Sequence, residues 1–236
     1  MKKLILLLLL SFSLLGCGYM RCVHGSGNVI SVTRDVAEFN SISVGGSANL
    51  YIAQGPVQSL RIEADDNIVR IIKTKVNGRT LEIENKRCIR NHKPINIYAT
   101  IPDVKKLQIM GSGKIIGETK ITANKLDINI SGSGKAKLEV DAEIVRTRIS
   151  GSGDMSFSGH TTDFEVIVSG SGNIMARSLQ TNNTSVTVSG SGDCIVSVQN
   201  ELDVTVSGSG RVEYYGDPLK VNSNISGSGK LKKGER

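Results

Sequence analysis

The sequence predicts an all-β protein, a single-stranded parallel β-helix in which short strands wind around one elongated core. Three observations carry the prediction. The phrase Ser-Gly-Ser-Gly begins at residues 131, 150, 169, 189, 207 and 226, with a Met-Gly-Ser-Gly variant at 110, so it recurs about every 20 residues. Each copy is flanked by runs in which every second residue is apolar. The composition suits stacked coils: 26 Gly, no Trp, and 4% aromatic residues among 236. A fixed period of this length is the mark of a repeat architecture.

The runs before the corner include Leu126-Asp-Ile-Asn-Ile130, Phe164-Glu-Val-Ile-Val168 and Leu202-Asp-Val-Thr-Val206. Those after it include Lys135-Ala-Lys-Leu-Glu-Val140 and Asp193-Cys-Ile-Val-Ser-Val198. Period-two alternation means strands with one buried face. A second, polar connection closes each repeat: Asp141-Ala-Glu143, His160 to Asp163, Gln180 to Asn183, Gln199 to Glu201. One repeat encloses no core, but stacked repeats do, because each inward residue lands on its equivalent in the next coil. The recurrence in register with β-branched strands excludes a flexible linker. Glycine suits a corner where neighbouring backbones approach and φ turns positive, and the Ser groups are expected to satisfy corner amides or to form a ladder. Counting Leu60, Leu81 and Leu107 as further strand starts gives about ten coils and a rod of roughly 50 Å at ~4.8 Å per coil.

Taken in order, residues 1–16 read as a lipoprotein signal peptide. Met1-Lys-Lys is followed by an apolar run from Leu4 to Leu15, too short for a stable span. Leu14-Leu-Gly-Cys17 resembles the bacterial lipobox, which implies cleavage before Cys17 and diacylglycerol on its thiol. Gly18 is not the Asp of the usual inner-membrane retention signal, so an outer-membrane, lipid-anchored location in the cell envelope is expected. Residues 17–36 read as a tether, and 37–236 as the β-helix domain, with irregular coils over 37–109 and regular ones over 110–236. Regular structure is expected to start near Phe39. The step from Leu81 to Leu107 is long, which places an insertion at about 85–94. In an oxidising compartment Cys22 and Cys88 are free to pair, though spacing alone does not demand it. Cys194 shares an inward position with Ala136, Met155 and Ile174 and reads as a small core residue.

Phe39-Asn-Ser-Ile-Ser-Val44, Gln54-Gly55, Ile62-Glu-Ala-Asp-Asp-Asn67, Leu81-Glu-Ile83, Ile97-Tyr98, Ile101-Pro102 and the corner array together resemble the bacterial head GIN domain family, which carries an auto-transporter adhesin label. The resemblance spans roughly 39–229. It implies a parallel β-helix on a secreted or lipid-anchored protein, and brings no catalytic or binding residues with it. Right-handed winding follows from this resemblance and from the general hand of parallel crossovers.

Chemistry is sparse. Asp154 and Asp193 share one outward column two coils apart, roughly 10 Å, near the 6.5–9.5 Å that separates the carboxylates of inverting glycosidases. Lys and Arg share their face, and nothing indicates a cleft. Only two of seven corners are followed by Asp, which disfavours a calcium ladder. The three His are scattered, and no Cys/His spacing suggests zinc, so no cofactor or metal is expected. Charge is uneven. The chain carries a formal +7, and the stretch 70–93 alone carries +6. Lys73, Lys75, Arg79, Lys86, Arg87, Arg90 and Lys93 are therefore the candidate contacts for an anionic partner such as an acidic glycan or lipid. Nucleic acid is disfavoured by compartment and by the lack of aromatic residues for stacking. The expectation is a non-enzymatic envelope lipoprotein, an adhesin-like display or binding module held to the membrane through Cys17. An envelope scaffold or assembly protein is the alternative, and a polysaccharide-acting enzyme ranks below both.

Overall fold

The computed structural model describes residues 22–85, 87–90 and 92–235. Cys17, Lys86 and the signal-peptide stretch lie outside the described residues. The described chain is a β-solenoid of about 7 turns. From Lys106 on, each turn is parallel to the next and in register, apart from shifts between Ser156 and Ser158, Ala176 and Gln180, and Thr181 and Asn183. The pairs run through β10 (Lys106–Gly111), β12 (Ile121–Gly132), β13 (Lys135–Gly151), β14 (Asp154–Gly170), β15 (Asn173–Gly190) and β16 (Asp193–Gly208), and end on β17 (Arg211–Tyr215), β18 (Lys220–Gly227) and β19 (Lys230–Lys233).

Register turns the sequence repeat into columns. Leu126, Val145, Phe164, Thr184 and Leu202 stack in successive turns, as do Ile130, Ile149, Val168, Val188 and Val206. On the other side of the corner the column is Ala136, Met155, Ile174, Cys194, Val212. All of these residues are buried. The polar connection is itself a rung: Ala142, Thr161 and Thr181 pair across turns and point inward. Their hydroxyls are satisfied internally. Thr161 Oγ1 donates to Glu143 O at 3.3 Å, and Thr181 Oγ1 donates to Ser197 O at 2.8 Å while lying 2.6 Å from Thr184 Oγ1. A buried hydroxyl without such a partner would cost roughly 1–3 kcal/mol.

The corner is held by backbone. Ser152 N donates to Gly132 O at 2.9 Å and Ser171 N to Gly151 O at 2.9 Å, with Asp154 N to Gly134 O following at 3.0 Å. The bond uses the Ser amide and leaves the Ser side chain exposed. The two glycines have different reasons. Gly151 adopts φ +123°, and a Cβ there would lie 2.4 Å from Gly132 O. Gly153 has no such φ, but a Cβ would lie 2.7 Å from both Gly134 O and Ile130 Cγ2.

The N-terminal part differs from the expected irregular coils in three ways. First, chain order and stacking order disagree. β3 (Ser41–Gly46) lies between β7 (Thr80–Asn85) and β10, and β4 (Asn49–Gln54) between β9 (Asn96–Ile101) and β11 (Lys114–Gly117). The later segment, 80–101, therefore stacks outside the earlier one. Second, Leu60 does not start a coil. β5 (Ser59–Asp65) runs antiparallel to β9, and β6 (Ile72–Asn77) antiparallel to β7. Between them a short helix α1 (Asp66–Val69) buries Ile68 and Val69 over the core. These elements cap the rod, which is why about 7 turns are present rather than about ten. An uncapped first turn would leave its inward residues wet and a sheet edge unpaired.

Third, the stretch expected as a tether is partly folded. β2 (Val29–Thr33) pairs antiparallel with β5, and β1 (Val23–His24) pairs with β8 (Ile89–Arg90) in the insertion. Cys22 and Cys88 form a disulfide. The alternation in β2 is short and half-exposed, so it stands out little from linker. The insertion does not break the stack; it takes the place of the short corner between β7 and β9.

Gly151→Ala should lower stability by at least about 2 kcal/mol, through a disfavoured φ and a backbone clash, whereas Ser152→Ala should change it by less than about 0.5 kcal/mol. Thermal unfolding followed by circular dichroism separates the two; equal midpoints would refute the corner mechanism.

Candidate functional site

Outward columns are read first, because any open-face chemistry must come from them. Arg146 and Glu165, one turn apart, form an ion pair at 2.9 Å, and Asn222 Nδ2 donates to Asp203 Oδ1 at 2.6 Å in the same column. Next to it Asn183 Nδ2 donates to Asp163 Oδ1 at 2.9 Å, and Lys220 meets Glu201 at 2.5 Å. Of these, Arg146, Asp163, Glu165, Asn183, Glu201 and Asp203 line a shallow groove of about 380 Å³ on the flank. Each of the four carboxylates is held by a side chain of an adjacent turn, so the groove is a ladder of surface pairs, each contributing about 0.2–1 kcal/mol.

The Asp154 column behaves the same way. Lys135 Nζ lies 3.0 Å from Asp154 Oδ2, and Asn173 Nδ2 donates to Asp154 Oδ1 at 3.0 Å. The Lys135 contact holds the Asp154 carboxyl below its usual range. A general acid needs the opposite shift. Asp193 is exposed, and its own backbone N–H is engaged by Asn173 Oδ1 at 3.1 Å. Cys194 is buried, and burial pushes its thiol up to about 12. It is a core residue and no nucleophile. Among the described residues no group of His, Cys, Asp and Glu is arranged to hold a metal ion.

The basic candidates separate into two sets. Lys73 and Lys75 project from the edge strand β6, where they stand across from Glu84 and Glu82 of β7. Arg79, in the connecting turn, reaches Glu38 at 4.0 Å. Their charge is therefore largely matched, and lysines on an exposed edge strand also discourage pairing with other chains. Arg87, Arg90 and Lys93 are exposed on the insertion. Residues 85–95 contain four cations, Lys86 included, and no acidic residue. Arg87 also lines a recess of about 660 Å³ between the insertion and the Gly45–Gly46 corner.

The insertion is firmly held. Val23 N donates to Cys88 O at 2.8 Å and Gly25 N to Arg90 O at 3.2 Å. Asn67 Nδ2 donates to His24 O at 2.7 Å, and Lys93 N donates to Asp65 Oδ2 at 3.1 Å. Ser26 Oγ donates to Asp66 Oδ1 at 2.5 Å, and this bond lowers the Asp66 carboxyl from its ordinary value. The disulfide, the clip strands and α1 thus tie the first described residues to the basic loop. The clip brings His24 and His92 to one region, with His160 apart on the flank. The one sequence signal for this arrangement was the pair of cysteines left outside the regular coils.

The family described as "Putative auto-transporter adhesin, head GIN domain" matches residues 38–218, and the chain belongs to it. A solved "putative adhesin" from Bacteroides fragilis NCTC 9343 is 28% identical with a TM-score of 0.86, covering 89% of this chain and 99% of its own. A "putative lipid binding protein" from Parabacteroides distasonis ATCC 8503 is 25% identical with a TM-score of 0.77, covering 91% and 100%. A "putative adhesin" from Parabacteroides merdae ATCC 43184, 18% identical with a TM-score of 0.74 over 90% and 99%, shares the fold. No curated protein matches the chain.

Two outcomes follow from the titrating groups. Cys194 should resist a thiol reagent at pH 8 in the folded protein and react fully in denaturant, read by mass spectrometry of its peptide. Because its folded value lies above the unfolded value of 9.0, stability should fall as pH rises from about 9 towards about 12. The Asp154 pairing acts in the other direction: it stabilises above the unfolded value of 3.8 and is lost as pH falls below it. Asp154→Asn should therefore flatten the acid limb of the stability curve, at a cost of under about 1 kcal/mol at neutral pH.

Proposed function

We propose that this protein is a non-enzymatic cell-envelope lipoprotein, anchored through diacylglycerol on Cys17, and that it works as an adhesin-like binding rod. The adhesin names of its family and of its B. fragilis neighbour support the role, and the lipobox at Leu14-Leu-Gly-Cys17 supports the anchor. One observation carries the choice of surface: the carboxylates of the flank columns are paired turn to turn, whereas residues 85–95 of the insertion hold four cations and no acidic residue. Arg87, Arg90 and Lys93, with Lys86, are the contact for an anionic partner. The lipid-binding name of the P. distasonis neighbour is consistent with such a ligand.

A second reading, a scaffold whose partner is another envelope protein, is favoured by the last turn. There Val221 and Ile225 are 40% and 38% exposed, and β18 and β19 are paired on one side among the described residues.

The test is an array of acidic and neutral glycans and lipids at low and high salt. Binding should favour acidic ligands, weaken with salt, and drop more than about tenfold in Arg90→Glu/Lys93→Glu, since ~1 kcal/mol per basic residue is at stake. Equal binding by the variant would sink the choice of surface. Co-purifying envelope proteins with an empty array would favour the scaffold.

A further inference from the structure

We infer that the basic insertion is a foot that rests on anionic phospholipid headgroups, so that the cap end of the rod faces the membrane and the last turn points away. The inference rests on the anchor at Cys17 proposed above and deepens it by assigning the ligand and the orientation.

The reach of the chain sets the geometry. Cys17 and Cys22 are five residues apart, which spans at most about 18 Å when fully extended. Cys22 is bonded to Cys88, with Cα atoms 4.5 Å apart, and the pairing continues as Val23 with Ile89 and His24 with Arg90. Whatever path the intervening residues take, the lipid-bearing residue stays close to the loop that carries Arg87, Arg90 and Lys93. Without the clip the first strand of the rod would be β2, and a chain from Cys17 to Val29 reaches about 43 Å. Ten rungs, from β6 through β7, β3 and β10 to β18, make the rod about 43 Å long as well. An unclipped tether would thus let the rod lie in any orientation. The clip removes that freedom and fixes which end is down.

Reach and charge together select the surface. Four cations and no acidic residue lie between 85 and 95. A tether of at most about 18 Å allows Arg90 and Lys93 to approach within the ~8 Å over which headgroup charge is felt. A glycan ligand would have to compete with a phosphate surface that the anchor already supplies at high local concentration. Lys73 and Lys75, opposite Glu84 and Glu82, add little to this patch. The far end is basic too, with Arg211, Lys230 and Lys232 exposed, but it lies most of the rod's length from the clip and so beyond the ~18 Å reach of Cys17.

The experiment uses the full-length lipidated chain in vesicles of phosphatidylcholine alone and of phosphatidylcholine with about one third phosphatidylglycerol. A water-soluble amine-acylating reagent reports lysine accessibility by mass spectrometry. Lys93 should react at least about fivefold more slowly in the anionic vesicles, the factor that ~1 kcal/mol implies. Lys232, on the last turn, should react equally in both. High salt should restore Lys93, and so should Arg87→Gln/Arg90→Gln, with the protein still sedimenting with the vesicles. Reduction of Cys22–Cys88 should weaken the protection without releasing the protein. Equal Lys93 rates in the two vesicles, or protection of Lys232 to the same degree, would overturn the inference while leaving the anchor intact. A Cys17 peptide whose mass lacks the lipid would overturn both anchor and inference.

Discussion

One contact sets the rest of the structure: at six corners, from Ser112 to Ser209, the Ser amide donates to the Gly carbonyl of the neighbouring turn. That bond fixes the spacing between turns and restores the register at the next corner after the shifts in the run between. Strand pairing alone tolerates slippage, because a parallel ladder looks similar after a shift of two residues. The corner does not, because the only residues that fit the positive φ and the approach to the neighbouring carbonyl are its glycines. The columns of Leu, Ile, Val and Phe in the core are thus a consequence of the corner as much as of hydrophobicity. So is the burial of Thr181 and Thr184, since stacked register places each hydroxyl within reach of another polar group.

A solenoid has ends, and the two ends here differ. At the first, the chain lays down β3 and β4, runs outward through antiparallel β5, α1 and β6, then returns to insert β7 and β9 between that cap and β3–β4. The reversal of order lets antiparallel strands cover a parallel stack without a long crossover, because hairpins need only short turns. Two edges remain, β2 and β6, and the second carries Lys73 and Lys75. At the other end β18 is exposed along its whole length, with lysines on β19 beside it.

The regular half of the fold was legible in the sequence because its information is local and repeated. Spacing placed Cys194 in the column of Ala136, Met155 and Ile174, and the structure has it there. The same logic failed at Leu60. Its neighbourhood has the alternation of a strand, but alternation carries no direction, and an antiparallel rung reads like a parallel one. Stacking order was hidden for a related reason: period two says which face is buried, and not which strand lies alongside. Gly45 and Gly46 form the first corner, and its strands pair with β10 and β11 rather than with the segment that follows them in sequence. The clip was legible only as two unassigned cysteines, since contacts over 66 residues leave no local pattern.

The same regularity that makes the core readable empties the flanks of chemistry. In a stacked column each charged side chain has a neighbour about 4.8 Å above and below, and selection for solubility and stability fills those places with partners. Asp154 is met by Lys135 and Asn173, and Glu165 by Arg146. A side chain so paired has its charge already met by a neighbour. Freedom to evolve a contact returns where the period breaks, because an inserted segment has no equivalent above or below to satisfy it. In this chain the segment that interrupts the repeat at a corner, 85–95, is also the one with unbalanced charge and with the disulfide. The departure from symmetry is therefore where the proposed contact sits, and the repeat is the frame that holds it in place.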